Sequence, residues 1–462
     1  MLLKAKNILL FNPWIYDFAA YDFWNKPVGL LHIGSVLRQH GYDVQLIDCL
    51  DRFQPALVDF LGKPVKSKED GTGKFYREEI DKPDVLKNVP RKYCRYGLPP
   101  EMVVKILESR PRPDAVFVTS FMTYWYTGVR DAIKLLRMIY PRVPIFLGGI
   151  YASLMRDHAL AEMQPDCLIC GEGEKMSLEK LAAIFGQSNR TSTDSLVDDF
   201  ISPAYDLYPT LKSIALMTSR GCPFRCSFCA SFRTTARYRR FDPERVFHEI
   251  KTWWEKYAVQ NVAFFDDALL LQSERYLKPL LRKIIDDRPR FNLHAPNGMH
   301  VKQIDEELAD LMFEARVKTI NLSFESSDRR RQQSMNAKVS NSDLEIVLTH
   351  LENAGYKRPD IGVFVLMGLP DQEPEEVRAS VRFVSDLGAK VNLASFSPIP
   401  GTLEWEKSRQ TGYRQFLRDP LLTNNTIFPL WSEKYSYALC DDLAGWVKER
   451  NKMLSPTTLE LL

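Results

Sequence analysis

The chain has 462 residues, long for one domain, and its 45% hydrophobic and 26% charged residues are the balance of a soluble globular protein rather than of a disordered chain. A net charge of +3 is too close to neutrality to point to nucleic acid or a membrane surface as partner. The longest apolar runs, such as residues 361–369, reach about half of a membrane-spanning length, and the start, MLLKAKNILLF, lacks the layout of a signal peptide, so cytoplasmic residence is expected.

The first half alternates strands and helices. Residues 7–13 (NILLFNP) are predicted as a buried strand, 29–41 as a helix closed by Gly41, and 43–48 (DVQLID) as a second strand. After a polar stretch come a strand over 114–121, a helix near 128–139, a strand over 144–149, a helix near 152–163 and a strand over 166–174. Apolar strands between amphipathic helices imply a parallel sheet covered on both faces, so residues 1–190 read as a doubly wound, flavodoxin-like domain of about five strands. Residues 51–112 interrupt it with a segment rich in charge, Pro and Gly and of weak periodicity. This insertion reads either as a solvated excursion or as a lid or substrate-contact element. A helix over 176–186 and a polar linker, QSNRTSTDS, lead out of the domain.

From residue 213 the pattern restarts. Strands over 213–219, 261–267, 291–298, 319–326, 361–369 and 391–398 alternate with helices over 242–257, 273–288, 305–316, 341–355 and 374–387. Six such strands are too few to close an eight-stranded barrel, so residues 205–402 are expected to form an open, partial (β/α)6 barrel. The tail, 403–462, is expected to be mostly helical and to cap it.

Three of the eight cysteines crowd into eight residues, Cys222-Pro-Phe-Arg-Cys226-Ser-Phe-Cys229, directly after a barrel strand. Thiolates suit iron–sulfur clusters or zinc, and barrel active sites lie at the C-terminal ends of strands. Three thiolates on a four-cornered cluster would leave one metal open, the mark of a reactive site. Spacing alone also admits a structural zinc or an electron-transfer cluster completed by Cys167, Cys170 or Cys440. The lone Cys167–Cys170 pair falls within a strand, where alternation separates its ends, and reads as core.

The segment SRGCPFRCSFC resembles the signature of the radical S-adenosylmethionine superfamily, and the partial barrel agrees with that family's fold. The resemblance implies a 4Fe–4S cluster on Cys222, Cys226 and Cys229 whose open iron chelates S-adenosylmethionine, with reductive cleavage to a 5′-deoxyadenosyl radical. It also implies roles for the other strand ends. Asp266 and Asp267 resemble the Asp-Asp form of the branch with an N-terminal cobalamin-type domain and would accept the ligand's ammonium group, although Asp267 also suits a helix N-cap. Asn297 supplies a polar group at the third strand end, where Asn-Gly equally suits a turn. Glu325 and Ser326 at the fourth end would contact S-adenosylmethionine, Gly368 at the fifth would lie beside the adenine, and Phe228 would touch it. The segment Ser397–Thr402 resembles the Pro-Gly-Thr stretch of the same branch.

VGLLHIGSVLRQHGYDVQLID, FLGGIYASL and CGEGE resemble the cobalamin-binding domain fused to that branch. The implied cofactor contacts are the strand ends Pro13, Thr119, Ser120, Gly148, Gly149, Glu172 and Gly173. None of the seven histidines has the Asp-x-His-x-x-Gly context of domains that replace the lower axial base; the aromatic segment 121–126 stands where it would line that face. The leading reading is a cobalamin-dependent radical enzyme that transfers a methyl group to a carbon of a small molecule or natural-product intermediate, with flavodoxin or ferredoxin as electron donor. A radical enzyme without cobalamin, performing a dehydration, oxidation or rearrangement, is the alternative, and an iron–sulfur electron carrier is the non-enzyme reading. A methylthiolating relative would need a second set of cluster cysteines in the first domain, and a nucleotide sensor a glycine-rich phosphate loop; neither is present.

Overall fold

The computed structural model describes residues 5–186, 201–235, 237–288, 290–410, 414–429 and 434–454; the linker expected over 187–195 lies outside them. The chain divides into two compact units, 1–215 with 233–236, and 216–232 with 237–462. The expected cap, 403–462, is grouped with the barrel rather than standing apart.

The first unit is built on a five-stranded sheet in the order 43–48, 7–12, 115–118, 145–147, 167–168, with every neighbouring pair parallel. This is the flavodoxin-like order expected from the alternation. Ile8 to Phe11 and Ala115 to Val118 are buried throughout, as strands covered on both faces must be. The helix expected near 152–163 is two helices, Ile150–Leu154 and Arg156–Met163, broken at Met155, whose φ of −128° and ψ of 51° are not helical. The last strand is only Cys167–Leu168. Cys167 is buried, and Cys170, past the strand, donates its thiol to the Ala152 carbonyl at 3.4 Å.

The insertion is more than a solvated loop. Ile15–Asp17, Cys94–Tyr96 and Arg77–Glu79 form an antiparallel three-stranded sheet, and Ile15, Phe75, Cys94 and Tyr96 share a buried apolar cluster. Arg52 pins it from inside: the guanidinium is 2% exposed, pairs with Asp22 at 2.7 Å and donates to the carbonyls of Lys66 and Gly71. A buried arginine is tolerable only when its donors are satisfied in this way.

A second sheet has six strands in sequence order, 213–216, 261–264, 292–300, 317–325, 361–367 and 390–395, and the pairs from the second strand onward are parallel. This is the open partial barrel. Its outer helices carry their own start signals: Asp242, Asp305 and Ser340 accept backbone N–H groups at the first turns of Pro243–Tyr257, Glu306–Glu314 and Asn341–Asn353. The free edge of the last strand is blunted by Asn451 of helix Tyr437–Met453, whose amide bonds both the N–H and the C=O of Val391 at 2.9 Å. Among the described residues no helix is long and apolar enough to cross a membrane.

Candidate functional site

The three cysteines occupy the loop beyond the first barrel strand. Its base is pinched by an antiparallel pair, Ser219–Arg220 against Arg239–Arg240, and a turn between its last two cysteines is closed by the Cys229 N–H on the Cys226 carbonyl at 3.1 Å. All three thiols are half-buried. Burial pushes Cys222 up to about 11, with smaller contributions from Cys229, Asp267 and Cys226, and raises Cys226 as well. Without metal, Cys222 and Cys226 are held as neutral thiols, each raised further by Cys229 nearby; a metal displaces such protons. Among the described residues no three His, Cys, Asp or Glu side chains converge on a single ion position. A cluster offers a separate iron to each thiolate, and three soft donors in one loop match it by donor chemistry.

Other elements hold the loop. The Ser227 carbonyl accepts the Glu404 N–H at 3.0 Å, the Arg225 carbonyl accepts the Asn336 amide at 2.9 Å, and Phe224 packs on His300 at 4.7 Å.

The two aspartates part company. Asp266 is 3% exposed and accepts from the Thr218 N–H, the Thr218 hydroxyl and the Ser219 hydroxyl at 3.0, 2.8 and 2.5 Å. Its oxygens are engaged with the scaffold. Asp267 is exposed by area, yet enough protein surrounds it to raise its pKa, and Ser231 donates to it. The following helix starts only at Leu277, so Asp267 caps nothing. Asn297 is not in a turn either: the third strand runs on to His300 through a register shift. The Asn297 amide donates to the Asp266 carbonyl at 3.3 Å.

At the fourth strand end Glu325 has φ +72°, and the register slips between Ser323 and Glu325. A non-glycine residue in this region is strained, and such strain gathers at functional positions. Removal from water pushes the Glu325 carboxyl up to about 7, with Lys338 pulling the other way. Lys338 also acts on Cys226 and His300, so these four groups share one neighbourhood. Ser326, in contrast, is 1% exposed and donates to Glu376 at 3.1 Å, within a network that includes Ser380 and Arg331. Its hydroxyl serves the scaffold. Gly368 has φ +89° and gives its N–H to Gln372 Oε1 at 2.8 Å. Phe228 packs against the buried apolar cluster of Met335, Leu366, Leu369 and Phe396. In the last segment Thr402 accepts the Trp405 N–H at 3.1 Å and starts the next helix.

Lys338 and His300 were not singled out by the sequence reading. Lys338 follows Asn336 and Ala337, both at positive φ, away from any strand end, and His300 closes the third strand only because that strand runs past the expected end at Gly298. His300 has a buried Nδ1 with no partner among the described residues, and burial and two lysines lower its pKa to about 4.

In the first unit, the Thr119 N–H bonds the Phe11 carbonyl and the Ser120 hydroxyl donates to the Gly148 carbonyl at 2.6 Å. Gly149, at φ +98° and ψ −169°, brings its Cα so close to Ser120 that an added Cβ would stand 2.1 Å from the Ser120 carbonyl oxygen. Pro13 is buried, Gly173 opens the helix Glu174–Phe185, and Glu172 is half-buried. Phe121 and Met122 are exposed directly after the third strand. Asp48, at the end of the second strand, accepts from Asn12 and Tyr208 at 2.7 and 2.6 Å.

Residues 216–384 match the radical SAM superfamily and residues 90–179 the B12 binding domain. An uncharacterized methyltransferase of Pyrococcus horikoshii is 26% identical over 64% of this chain and 69% of its own. The cytidylyl-2-hydroxyethylphosphonate methyltransferase of Streptomyces wedmorensis is 21% identical over 86% of this chain and 81% of its own. Among solved structures, the radical S-adenosylmethionine methyltransferase TsrM from Kitasatospora setae, with cobalamin and a [4Fe-4S] cluster bound, superposes with a TM-score of 0.64 at 18% identity, covering 88% of this chain and 78% of that one. That likeness shows the fold.

Proposed function

We propose, on the premise that this chain belongs to the cobalamin-dependent radical S-adenosylmethionine enzymes, that it transfers a methyl group to a carbon of a small-molecule substrate. The observation that carries the proposal is the pairing of the cysteine loop with the strained, high-pKa Glu325 carboxylate, both at barrel strand ends and electrostatically coupled through Cys226. Bound here, the cluster and S-adenosylmethionine would supply one-electron radical chemistry, and cobalamin would supply the methyl group.

The chain's own residues have the following parts. Cys222, Cys226 and Cys229 hold the cluster. Asp267 and Glu325 accept the ammonium group of S-adenosylmethionine, whose positive charge offsets the cost of keeping Glu325 ionised. Phe228, Leu366, Leu369 and Phe396 form the apolar wall for the adenine and exclude water, and Gly368 lets the backbone pass beside it. Asn297 adds a polar contact. In the first domain Pro13, Thr119, Gly148, Gly149, Glu172 and Gly173 would line the cobalamin site, with the exposed Phe121 and Met122 as its apolar neighbours. The Asp266, Ser120 and Ser326 side chains shape these sites from behind. A low-potential donor such as flavodoxin or ferredoxin delivers the electron in the cytoplasm.

The test uses protein purified without oxygen from cobalamin-fed cells. Stoichiometric cobalamin and iron, with 5′-deoxyadenosine and S-adenosylhomocysteine both released from S-adenosylmethionine under reduction, are expected. Cobalamin absent from a protein that keeps its cluster and still makes 5′-deoxyadenosine would refute methyl transfer and favour a dehydration, oxidation or rearrangement.

A further inference from the structure

Cys229 and Asp267 share one hydroxyl group. The Sγ of Cys229 lies 3.3 Å from the Oγ of Ser231, and Ser231 donates to the Asp267 carboxylate. Asp267 is also near enough to act electrostatically on Cys222. A serine carries one hydroxyl proton. While Cys229 is a thiol it gives its own proton to the Ser231 oxygen, and the three groups form a chain. As a metal-bound thiolate it has none to give. Two anions, thiolate and carboxylate, then compete for the Ser231 proton, each offering a charge-assisted bond.

We propose that Ser231 is a positioning residue that relays the seating of S-adenosylmethionine on Asp267 to the cluster through Cys229. The proposal rests on the cluster reading above. With Asp267 unpaired, the Ser231 hydroxyl faces the carboxylate. An ammonium group on Asp267 neutralises the charge that draws the Ser231 hydroxyl, so the hydroxyl shifts toward the still anionic Cys229 sulfur. A hydrogen bond to a cluster sulfur favours the more negative, reduced state. The cluster therefore takes its one electron, from the external low-potential donor, more readily once the ligand is in place. One electron passes from donor to cluster, the Ser231 proton stays on its oxygen, and no covalent bond changes. By linkage the reduced form binds the ligand more tightly by the same factor.

The experiment is a redox titration of the cluster-loaded protein followed by electron paramagnetic resonance, with and without saturating S-adenosylhomocysteine. This probe carries the same ammonium and carboxylate groups but no sulfonium to cleave. In the wild type the ligand should raise the ratio of reduced to oxidised cluster about tenfold at a fixed poise, ~59 mV for a one-electron couple. Ser231→Ala should retain iron and sulfide and lose most of that shift, and Ser231→Thr should keep it. An undiminished shift in Ser231→Ala, or no shift in the wild type, overturns the proposal. Should Ser231→Ala fail to hold a cluster, Asp267→Asn decides: a full-sized shift there also overturns it. A wild-type protein that binds no cluster would instead refute the reading on which the proposal stands.

Discussion

Asp266 accepts both the backbone N–H and the hydroxyl of Thr218, at 3.0 and 2.8 Å. These bonds tie the end of the second barrel strand to the end of the first, immediately before the cysteine loop, and the nearby charge of Arg240 supports the carboxylate. Asp266→Ala leaves buried donors on Thr218 and Ser219 without an acceptor, at a cost of about 3 kcal/mol. Asp267→Ala, at an exposed position, should cost less than about 1 kcal/mol yet weaken S-adenosylmethionine binding. Urea unfolding of the two metal-free variants, paired with ligand binding to the loaded ones, checks the contrast. Equal destabilisation by both would contradict the division of labour.

Two glycines offer a second contrast. Gly368 has φ +89° with nothing within 4 Å of an added Cβ, so Gly368→Ala pays only backbone strain, about 1–2 kcal/mol. Gly149 occupies a region open essentially to glycine alone, and its Cβ would meet the Ser120 carbonyl oxygen at 2.1 Å. Gly149→Ala should cost about 3 kcal/mol or more and strip cobalamin from the first domain. Thermal unfolding and the visible spectrum of the purified protein report both effects; retention of full cobalamin by Gly149→Ala would contradict the placement of the site.

A pH dependence of stability follows from Asp51, which is 2% exposed and whose Oδ2 has no partner among the described residues. Burial raises its pKa to about 6; Asp48 and Asp22 add to the rise, while Lys26 and the Phe53 N–H oppose it. A raised carboxyl pKa means that the folded state holds its proton more tightly than the unfolded chain. The associated stability is fully present below the unfolded value of 3.8, declines as pH rises, and is lost above about 6. The full change is about 3 kcal/mol. Asp51→Asn removes this slope, so the gap between the urea midpoints of variant and wild type should move in the variant's favour from pH 4 to pH 7. A constant gap would show that Asp51 ionises normally.

The parts of the molecule that repeat were legible from hydrophobic period. All six barrel strands and the order of the first sheet follow from alternating apolar runs such as 7–13 and 361–369. The three-stranded sheet of the insertion was not, because Ile15–Asp17, Arg77–Glu79 and Cys94–Tyr96 are short, three residues each, and the first pairs with the last far along the chain, Ile15 with Tyr96. Neither was the separation of Asp266 from Asp267, since it depends on which carboxylate meets Thr218 in space. Nor was the partner of Ser326 legible: its hydroxyl meets Glu376, fifty residues away in the chain, and only the fold brings the two together. Lys338 left no mark because a lone lysine after a short helix has no spacing to betray it.

Glu325 gives the sharpest test, because stability and binding should move in opposite directions. Its φ of +72° costs an L-residue about 1–2 kcal/mol relative to glycine, and its carboxyl is held away from water. Glu325→Gly relieves both, so the metal-free variant should unfold at higher urea than the wild type. Glu325→Gln retains the strain and the shape but not the charge. Both should bind S-adenosylmethionine more weakly, by about tenfold for the loss of one charge-assisted contact, ~1.4 kcal/mol, with iron content unchanged. The wild type would then retain a less stable backbone because the strained conformation aims the carboxylate at the ligand. A Glu325→Gly protein that is less stable than the wild type would mean that the conformation is held by contacts of the side chain itself. Unchanged affinity in Glu325→Gln would remove Glu325 from the ammonium site and leave Asp267 to hold it alone.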